Sequence, residues 1–427
     1  MSKNNDFEIK DGVLIKYIGK GGNVSIPDGV INVGAEAFMG CLSLTSITIP
    51  RGVTNIGKRA FSGCRFLKKI TIQDDLTNID EAAFYCCSLL ECINLPASVT
   101  SIGESAFANC RSLATINIPN SVTSIGKYAF FACESLASIT IPESVSSIGA
   151  AAFNESTKVT VSKENKTYHS NGDCLIETAS KTLTHGFKTS IIPDDGSVTS
   201  IGACAFLFCE SLQSITLPRG ITSIGDEAFN RCLLLESIDI PDSVTNIGTA
   251  AFEYCTSLKN ITIPNSVTNI GKAAFCECTS LKNIIIPASV TTLSGATFDP
   301  NHKVVISREN KSFHSDGDCL IETATKTLIH GFNTSTIPDD GSVTIIGDWA
   351  FNDCRSLTSI KIPEGVTSIG EFIFNGCYNL TSVTIPNSVT NIADHAFDFY
   401  SNITIYAIAG SYAEQYAKEK GINIKLL

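Results

Sequence analysis

Ile118-Pro119-Asn120-Ser121-Val122-Thr123-Ser124-Ile125-Gly126-Lys127-Tyr128-Ala129-Phe130-Phe131-Ala132-Cys133-Glu134-Ser135-Leu136-Ala137-Ser138-Ile139-Thr140 decides the fold, because it is one copy of a unit that recurs along the chain. Leu136, Ile139 and Ile141 have the Leu-x-x-Ile-x-Ile spacing of a short strand facing a core, and Pro142 ends it because proline cannot donate a ladder hydrogen bond. Val122-Thr123-Ser124-Ile125 is a second extended run, rich in β-branched residues. Gly126 is expected to let the chain turn. Ala129-Phe130 is expected in a tight helical turn that plants the ring in the core.

The Phe of this unit recurs every 23 residues at Phe38, Phe61, Phe84, Phe107, Phe130 and Phe153. The series resumes at Phe206, Phe229, Phe252, Phe275 and Phe298, then at Phe351, Phe374 and Phe397, which makes fourteen copies. Ala precedes the Phe in all but two, where Thr297 and Ile373 stand. One such unit cannot bury its own apolar face, whereas stacked units bury it continuously. Stacking predicts an aromatic ladder of Phe rings and a parallel sheet of Ile-x-Ile strands.

A longer period overlies the short one. Phe153 to Phe206 and Phe298 to Phe351 each span 53 residues, one repeat plus 30. Both gaps carry the same text: Glu164-Asn165-Lys166 returns as Glu309-Asn310-Lys311, and Cys174-Leu175-Ile176-Glu177-Thr178 as Cys319-Leu320-Ile321-Glu322-Thr323, 145 residues later. We read a tandem duplication of a whole module. A third, weaker copy opens the chain if Val13-Leu14-Ile15 is aligned with Cys174-Leu175-Ile176. Within the insertion, Cys174 to Glu177 and Thr182 to Phe187 flank a polar turn and predict a β-hairpin. Near the end, Ser411 to Lys420 is helix-forming with Gly421 as a stop, which suits the cap a solenoid needs. The expected organisation is an N-terminal cap over 1–26, six repeats over 27–161, a hairpin over 162–191 and five repeats over 192–306. A second hairpin over 307–336, three repeats over 337–405 and a C-terminal cap over 406–427 complete it.

Composition agrees with a continuous core. The chain is 43% hydrophobic and 17% charged, with a formal net charge of -11. This acidity makes nucleic acid and bare anionic membrane poor partners. Met1-Ser2-Lys3-Asn4-Asn5-Asp6-Phe7 lacks the apolar core and small-residue cleavage site of a secretory signal, and no stretch has the length and apolarity of a membrane helix.

The pattern Ile-Pro-x-x-Val-Thr-x-Ile-Gly-x-x-Ala-Phe-x-x-Cys-x-Ser-Leu resembles the BspA-like leucine-rich repeat family over nearly the whole chain. The resemblance implies a leucine-rich-repeat solenoid, β-rich with short helical turns, parallel strands on a concave sheet, β-hairpin insertions and a C-terminal helix. It also implies a bacterial cell-surface or secreted protein that binds host matrix proteins or other cells.

Residues with chemical potential have structural explanations. Eleven of the seventeen cysteines share one repeat position, Cys41, Cys64, Cys87, Cys110, Cys133, Cys209, Cys232, Cys255, Cys278, Cys354 and Cys377, which predicts a buried ladder of thiols bonded to backbone. Paired zinc knuckles are missing from the repeat. Unpaired thiols on this scale suit a reducing compartment. His169, His185, His314 and His330 lie on the insertions near Cys174 and Cys319, where a Cys-His nucleophile is conceivable but duplicated surface residues are the simpler reading. Asp194-Asp195-Gly196 and Asp339-Asp340-Gly341 read as turns rather than calcium loops. Asn165-Lys166-Thr167 and Asn260-Ile261-Thr262 match a glycosylation triplet without further support.

The candidate binding residues are those between the apolar positions of the longer strands, on the expected concave face. They are Thr45, Thr48, Lys68, Thr71, Glu91, Asn94, Thr115, Asn117, Ser138, Thr140, Ser214, Thr216, Glu236, Asp239, Lys259, Thr262, Lys282, Thr358, Lys361, Thr381 and Thr384. The set is polar and carries no aromatic or arginine anchor, which fits weak contacts multiplied along a surface. We therefore expect a non-catalytic, monomeric solenoid that binds a protein or glycoprotein, without cofactor, metal, nucleic acid or membrane insertion. An intracellular scaffold or effector of the same fold is the alternative.

Overall fold

Each 23-residue unit makes one coil with two short strands, and identical phase in successive coils lets every residue sit over its counterpart. In the computed structural model Ser101↔Ser124 and Ile102↔Ile125 pair in parallel, as do Ser124↔Ser147 and Ile125↔Ile148. The longer strands pair the same way, with Thr115↔Cys92 and Ile116↔Ile93. The structure describes residues 6–397 and 403–427. Residues 1–5, which open the stretch read above for a signal, and 398–402, inside the span read as the last three repeats, lie outside the described residues.

The chain divides into two compact units, Met1–Ile215 and Thr216–Leu427. In the first unit one sheet runs from the hairpin Phe7–Lys10 and Val13–Tyr17 through Asn32–Val33, Asn55–Ile56, Asn78–Ile79, Ser101–Ile102, Ser124–Ile125 and Ser147–Ile148. The facing sheet holds the longer strands Gly22–Ser25, Leu44–Ile49, Lys69–Ile72, Cys92–Asn94 and Thr115–Asn117. Between the sheets most Val, Ile and Leu are buried, with Ile72, Ile116 and Ile148 partly so. The second unit repeats this with Asn246–Ile247, Asn269–Ile270 and Thr292–Leu293 on one side and Ser237–Asp239 and Asn260–Thr262 on the other.

The expected ladder is present. Phe38, Phe61, Phe84, Phe107 and Phe130 stack at 4.9 to 5.5 Å between centroids. In the second unit Phe229, Phe252 and Phe275 stack at 5.3 and 5.6 Å. In the first unit Tyr17 extends the stack at 4.9 Å from Phe38, with Phe7 at 5.3 Å beyond it. In the second unit Tyr416, from the helix Tyr412–Lys420, lies 6.0 Å from Phe397. That helix begins with Ser411 accepting from the Glu414 N–H and stops at Gly421, whose φ of 68° is left-handed.

The turn that carries each Phe is tight but not helical. Tyr128 and Ala132, two residues either side of Phe130, have φ of 57° and 54°. The same pair of left-handed positions recurs in other coils, at Ser105 with Asn109 and at Ala250 with Tyr254. Alternate N–H groups then face alternate ways. Ala129 and Phe131 donate three residues back, to Gly126 and Tyr128, while Tyr128 and Phe130 donate to Ala150 and Ala152 of the next coil. A helical turn would keep these bonds within one coil and leave the next without partners. Lateral pairing of buried backbone outweighs the cost of left-handed residues, on the order of 1 kcal/mol each.

Gly126 also has a different role from the one expected. Its φ is not left-handed. A Cβ there would lie 2.4 Å from the Glu104 nitrogen, and one at Gly149 would lie 2.2 Å from the Lys127 nitrogen. The glycine permits close approach of successive coils. Asp80, Ser294 and Ala393 stand at this place in three coils.

The insertions contain the predicted hairpin and one strand more. Cys174–Glu177 pairs antiparallel with both Thr182–His185 and Tyr168–Asn171, and Thr182–His185 then joins Ser200–Ile201 in parallel. Phe313–Asp316, Cys319–Glu322 and Thr327–Gly331 repeat this arrangement in the second unit. Val13–Tyr17 pairs in parallel with Asn32–Val33. Val13–Tyr17 therefore occupies the place of Thr182–His185, not of Cys174–Glu177 as expected from the sequence. The apolar triplet Val13-Leu14-Ile15 pointed to Cys174-Leu175-Ile176, whereas the strand in its place, Thr-Leu-Thr-His, shares with it only the buried Leu14 and Leu183.

Phe107 is fully buried between Phe84 and Phe130. Phe107→Ala is expected to destabilise the protein by about 3 to 5 kcal/mol in denaturant titration. A loss under about 1 kcal/mol would mean the stacked rings do not hold the coils together.

Candidate functional site

The repeated cysteine is explained by what lies behind it. Cys64 donates to the Phe38 carbonyl at 3.1 Å, Cys87 to Phe61 at 3.2 Å, Cys110 to Phe84 at 3.2 Å and Cys133 to Phe107 at 3.1 Å. Cys255, Cys278 and Cys377 do the same for Phe229, Phe252 and Phe351 at 3.2, 3.0 and 3.0 Å. Burial pushes the Cys64, Cys133 and Cys255 thiols up to about 12. They stay protonated at neutral pH and so remain donors. All seventeen cysteines are free thiols, and only Cys92 is exposed, with Cys41, Cys86 and Cys204 half-buried. A thiol reagent at pH 8 is expected to label these four in the native protein and the other thirteen only after unfolding. Fast native labelling of Cys110 or Cys255 would contradict the ladder.

The insertion residues do not assemble a nucleophile. The Cys174 thiol lies 3.5 and 3.8 Å from the carbonyls of Gly172 and Ile191, and Cys319 bonds Gly317 and Thr336 in the same way. His169 and His314 bond Thr178 and Thr323, each at 3.0 Å. His185 is buried, with its Nε2 3.0 Å from the Gly149 carbonyl and its ring 5.4 Å from Phe153. His330 is also buried, edge-on to Phe298 and Phe332, and neither ring nitrogen has a partner. These imidazoles end ladders; they do not meet the thiols.

Burial pushes His185 down to about 4 and His330 down to about 3. A folded-state value below the unfolded one gives stability that is full above about 6.5 and is lost as pH falls through the folded value. The effect is on the order of 3 to 5 kcal/mol per ring. His330→Leu removes two unsatisfied nitrogens and should be more stable than wild type at pH 7. Its advantage in urea titration should widen as pH falls from about 6.5 to 4. An advantage independent of pH would show that His330 does not protonate on unfolding.

The acidic turns and the Asn165 triplet also have local explanations. Asp195 accepts from the Ser197 N–H at 2.9 Å and its hydroxyl at 2.5 Å, which holds its carboxyl below the usual range, and Asp340, also lowered, accepts from the Ser342 N–H at 2.9 Å. Asn165 is buried. Its amide donates to the Pro142 and Val145 carbonyls at 2.7 and 2.9 Å, and its oxygen accepts from Thr167 and Tyr168. This clamp, repeated at Asn310, ties each insertion to the preceding coil and explains why Glu-Asn-Lys recurs. Among the described residues no group of three or more His, Cys, Asp and Glu side chains is placed to hold a metal ion. Among them, too, no helix is long and apolar enough to cross a membrane.

The candidate binding residues lie on or beside the longer strands and are exposed, with Thr48 and Thr384 half-buried. Several bond across coils. Thr45 and Ser46 reach Asn23 at 3.3 and 2.8 Å, Thr140 meets Thr160 at 3.0 Å, and Lys259 pairs with Glu236 at 2.7 Å. The same face also carries Ile285 and Val305, 65% and 43% exposed, which lie outside the polar set expected from the sequence. The unbroken run Ile284-Ile285-Ile286 was the available signal, since a strand with one buried face should alternate.

Comparison with known proteins agrees with this architecture. The family of BspA type leucine rich repeat regions matches over residues 20–137, 89–180, 176–305 and 329–419. The chain belongs to that family. The pneumococcal vaccine antigen PcpA is 19% identical, with a TM-score of 0.52 over 100% of this chain and 98% of that one. A leucine-rich repeat protein from Eubacterium ventriosum is 22% identical, with a TM-score of 0.53 over 85% of this chain and 88% of its own. A leucine rich cell surface protein from Faecalibacterium prausnitzii is 25% identical, with a TM-score of 0.47 over 97% and 96%. No curated protein sequence matches the chain.

Proposed function

We propose that this chain is a non-catalytic protein-binding solenoid that works as an adhesin-like protein, at the bacterial cell surface or secreted, contacting host matrix or other cells. The observation that carries the reading is the exposed polar face of the longer strands, which offers similar side chains coil after coil. Weak contacts repeated at fixed spacing add, because the first contact brings the rest to high local concentration. Family membership supports the same reading. The thiols no longer favour a reducing compartment: apart from Cys41 the ladder is buried, and thiols such as Cys110 and Cys255 are bonded to carbonyls, so they resist oxidation in either setting.

The test is protease shaving of intact native cells followed by mass spectrometry. Peptides of this chain are expected in the shaved fraction while cytosolic markers stay inside. Recovery only after lysis would overturn the surface reading in favour of an intracellular scaffold.

A further inference from the structure

The tandem duplication supplies an internal control for finding a site, since a residue that differs between copies is not required by the shared fold. Ile285 and Val305 are paired neighbours on adjacent longer strands. Their counterparts 145 residues earlier are Thr140 and Thr160, whose hydroxyls bond each other at 3.0 Å. The second copy thus exposes two branched apolar side chains where the first has a self-satisfied polar pair. Each borders a cleft. Val305 lines one of about 690 Å³ together with Leu320, Phe332, Asp316 and Asp318, and Lys303 and the inward-turned His302 complete its edge. Ile285 lines another of about 300 Å³ with Ile261, Ile263 and Pro287.

The charges beside this step also differ between copies. In the first, Asn171 donates to Asp195 at 3.2 Å. The second has Asp316 and Asp340 at those places, and both line a third cleft of about 390 Å³ with Asp339 and Lys361. An amide–carboxylate bond has become two carboxylates. The clefts that share Asp316 hold four carboxylates, Asp316, Asp318, Asp339 and Asp340, against Lys303 and Lys361.

We propose that this step binds an extended polypeptide segment of a partner, one with apolar side chains next to lysine or arginine. The proposal rests on the protein-binding reading above and names its site and its partner's chemistry. The apolar pair removes a branched side chain from water, and the carboxylates select a cation beside it. The same carboxylates disfavour anionic lipid and nucleic acid. A second copy of this chain, at a net charge of -11, is disfavoured as well.

The experiment measures fluorescence anisotropy of labelled synthetic peptides with the full chain. One peptide alternates Leu with Lys, and controls alternate Leu with Glu and Ser with Lys. The Leu–Lys peptide is expected to bind best. The double variant Ile285→Thr with Val305→Thr installs the first copy's residues, keeps the net charge and should fold normally. It should weaken binding at least about tenfold. Asp316→Asn should weaken it by about threefold at low salt. Thr140→Ala with Thr160→Ala should leave it unchanged. Equal binding by wild type and the Ile285/Val305 variant, or equal binding of either control peptide, would overturn the proposal. The surface reading fails separately. A chain found only inside cells, but with peptide binding lost in the variant, overturns the location and leaves the site. Cell-surface display with unchanged binding in the variant does the reverse.

Discussion

The parallel register between coils is the constraint on which the rest depends. Because residue i pairs with residue i+23, each buried group meets the same position of its neighbour, and whatever chemistry is chosen once must tolerate being stacked on itself. Phe satisfies this by offset stacking. The Phe carbonyl accepts the Cys N–H of its own coil and the thiol of the next, as Phe38 does with Cys41 and Cys64. A thiol suits the place because it is small, apolar enough to bury and still a donor. A carboxylate or lysine repeated there would stack like charges without water.

The register breaks where a module ends, and the two copies repair the break differently. The coils of Phe153 and Phe298 reach their strands three residues early, so that Ser138 pairs with Lys158 and Asn283 with Lys303, a step of 20. They also lack the ladder cysteine, having Ser156 and Asn301 instead. The shortened coil lets the coils on either side of it meet. In the first unit Phe131 packs on Phe208 at 5.0 Å, while Glu155 of the shortened coil itself accepts from the Ser211 N–H and hydroxyl. In the second, Lys272 lies 4.2 Å over the Trp349 ring and Arg355 reaches Glu277 at 3.1 Å. The joints have diverged where the ladders have not, because stacking on a copy of itself restrains only the ladder residues.

This division also explains what could be read in the sequence. Phe130, Cys133, Leu136 and Ile139 were legible because the register repeats them in phase. The handedness of the Phe turn was not, since Tyr128 and Ala132 adopt left-handed backbone for the sake of bonds to another coil, and local propensity favours helix there. Gly126 was assigned to a turn because close approach of coils leaves the same signature as backbone freedom. The strand Tyr168–Asn171 was missed because its polar text, Tyr-His-Ser-Asn, is paired on one edge only, by Cys174–Glu177. Of the candidate site, exposure followed from alternation, but Ile285 fell outside a search for polar residues.

The exposed face is the surface this fold can vary most freely, and part of it is already engaged. Thr45, Thr140 and Lys259 spend their polar groups on neighbouring coils. An exposed ion pair such as Lys259 with Glu236 adds little to stability. Such contacts take those polar groups away from a partner. Where a coil instead exposes apolar carbon, as at Ile285 and Val305, removal from water becomes available to a partner without breaking any existing bond. A face that is weak everywhere and apolar at one joint therefore separates two tasks, with length giving avidity and the joint giving selectivity.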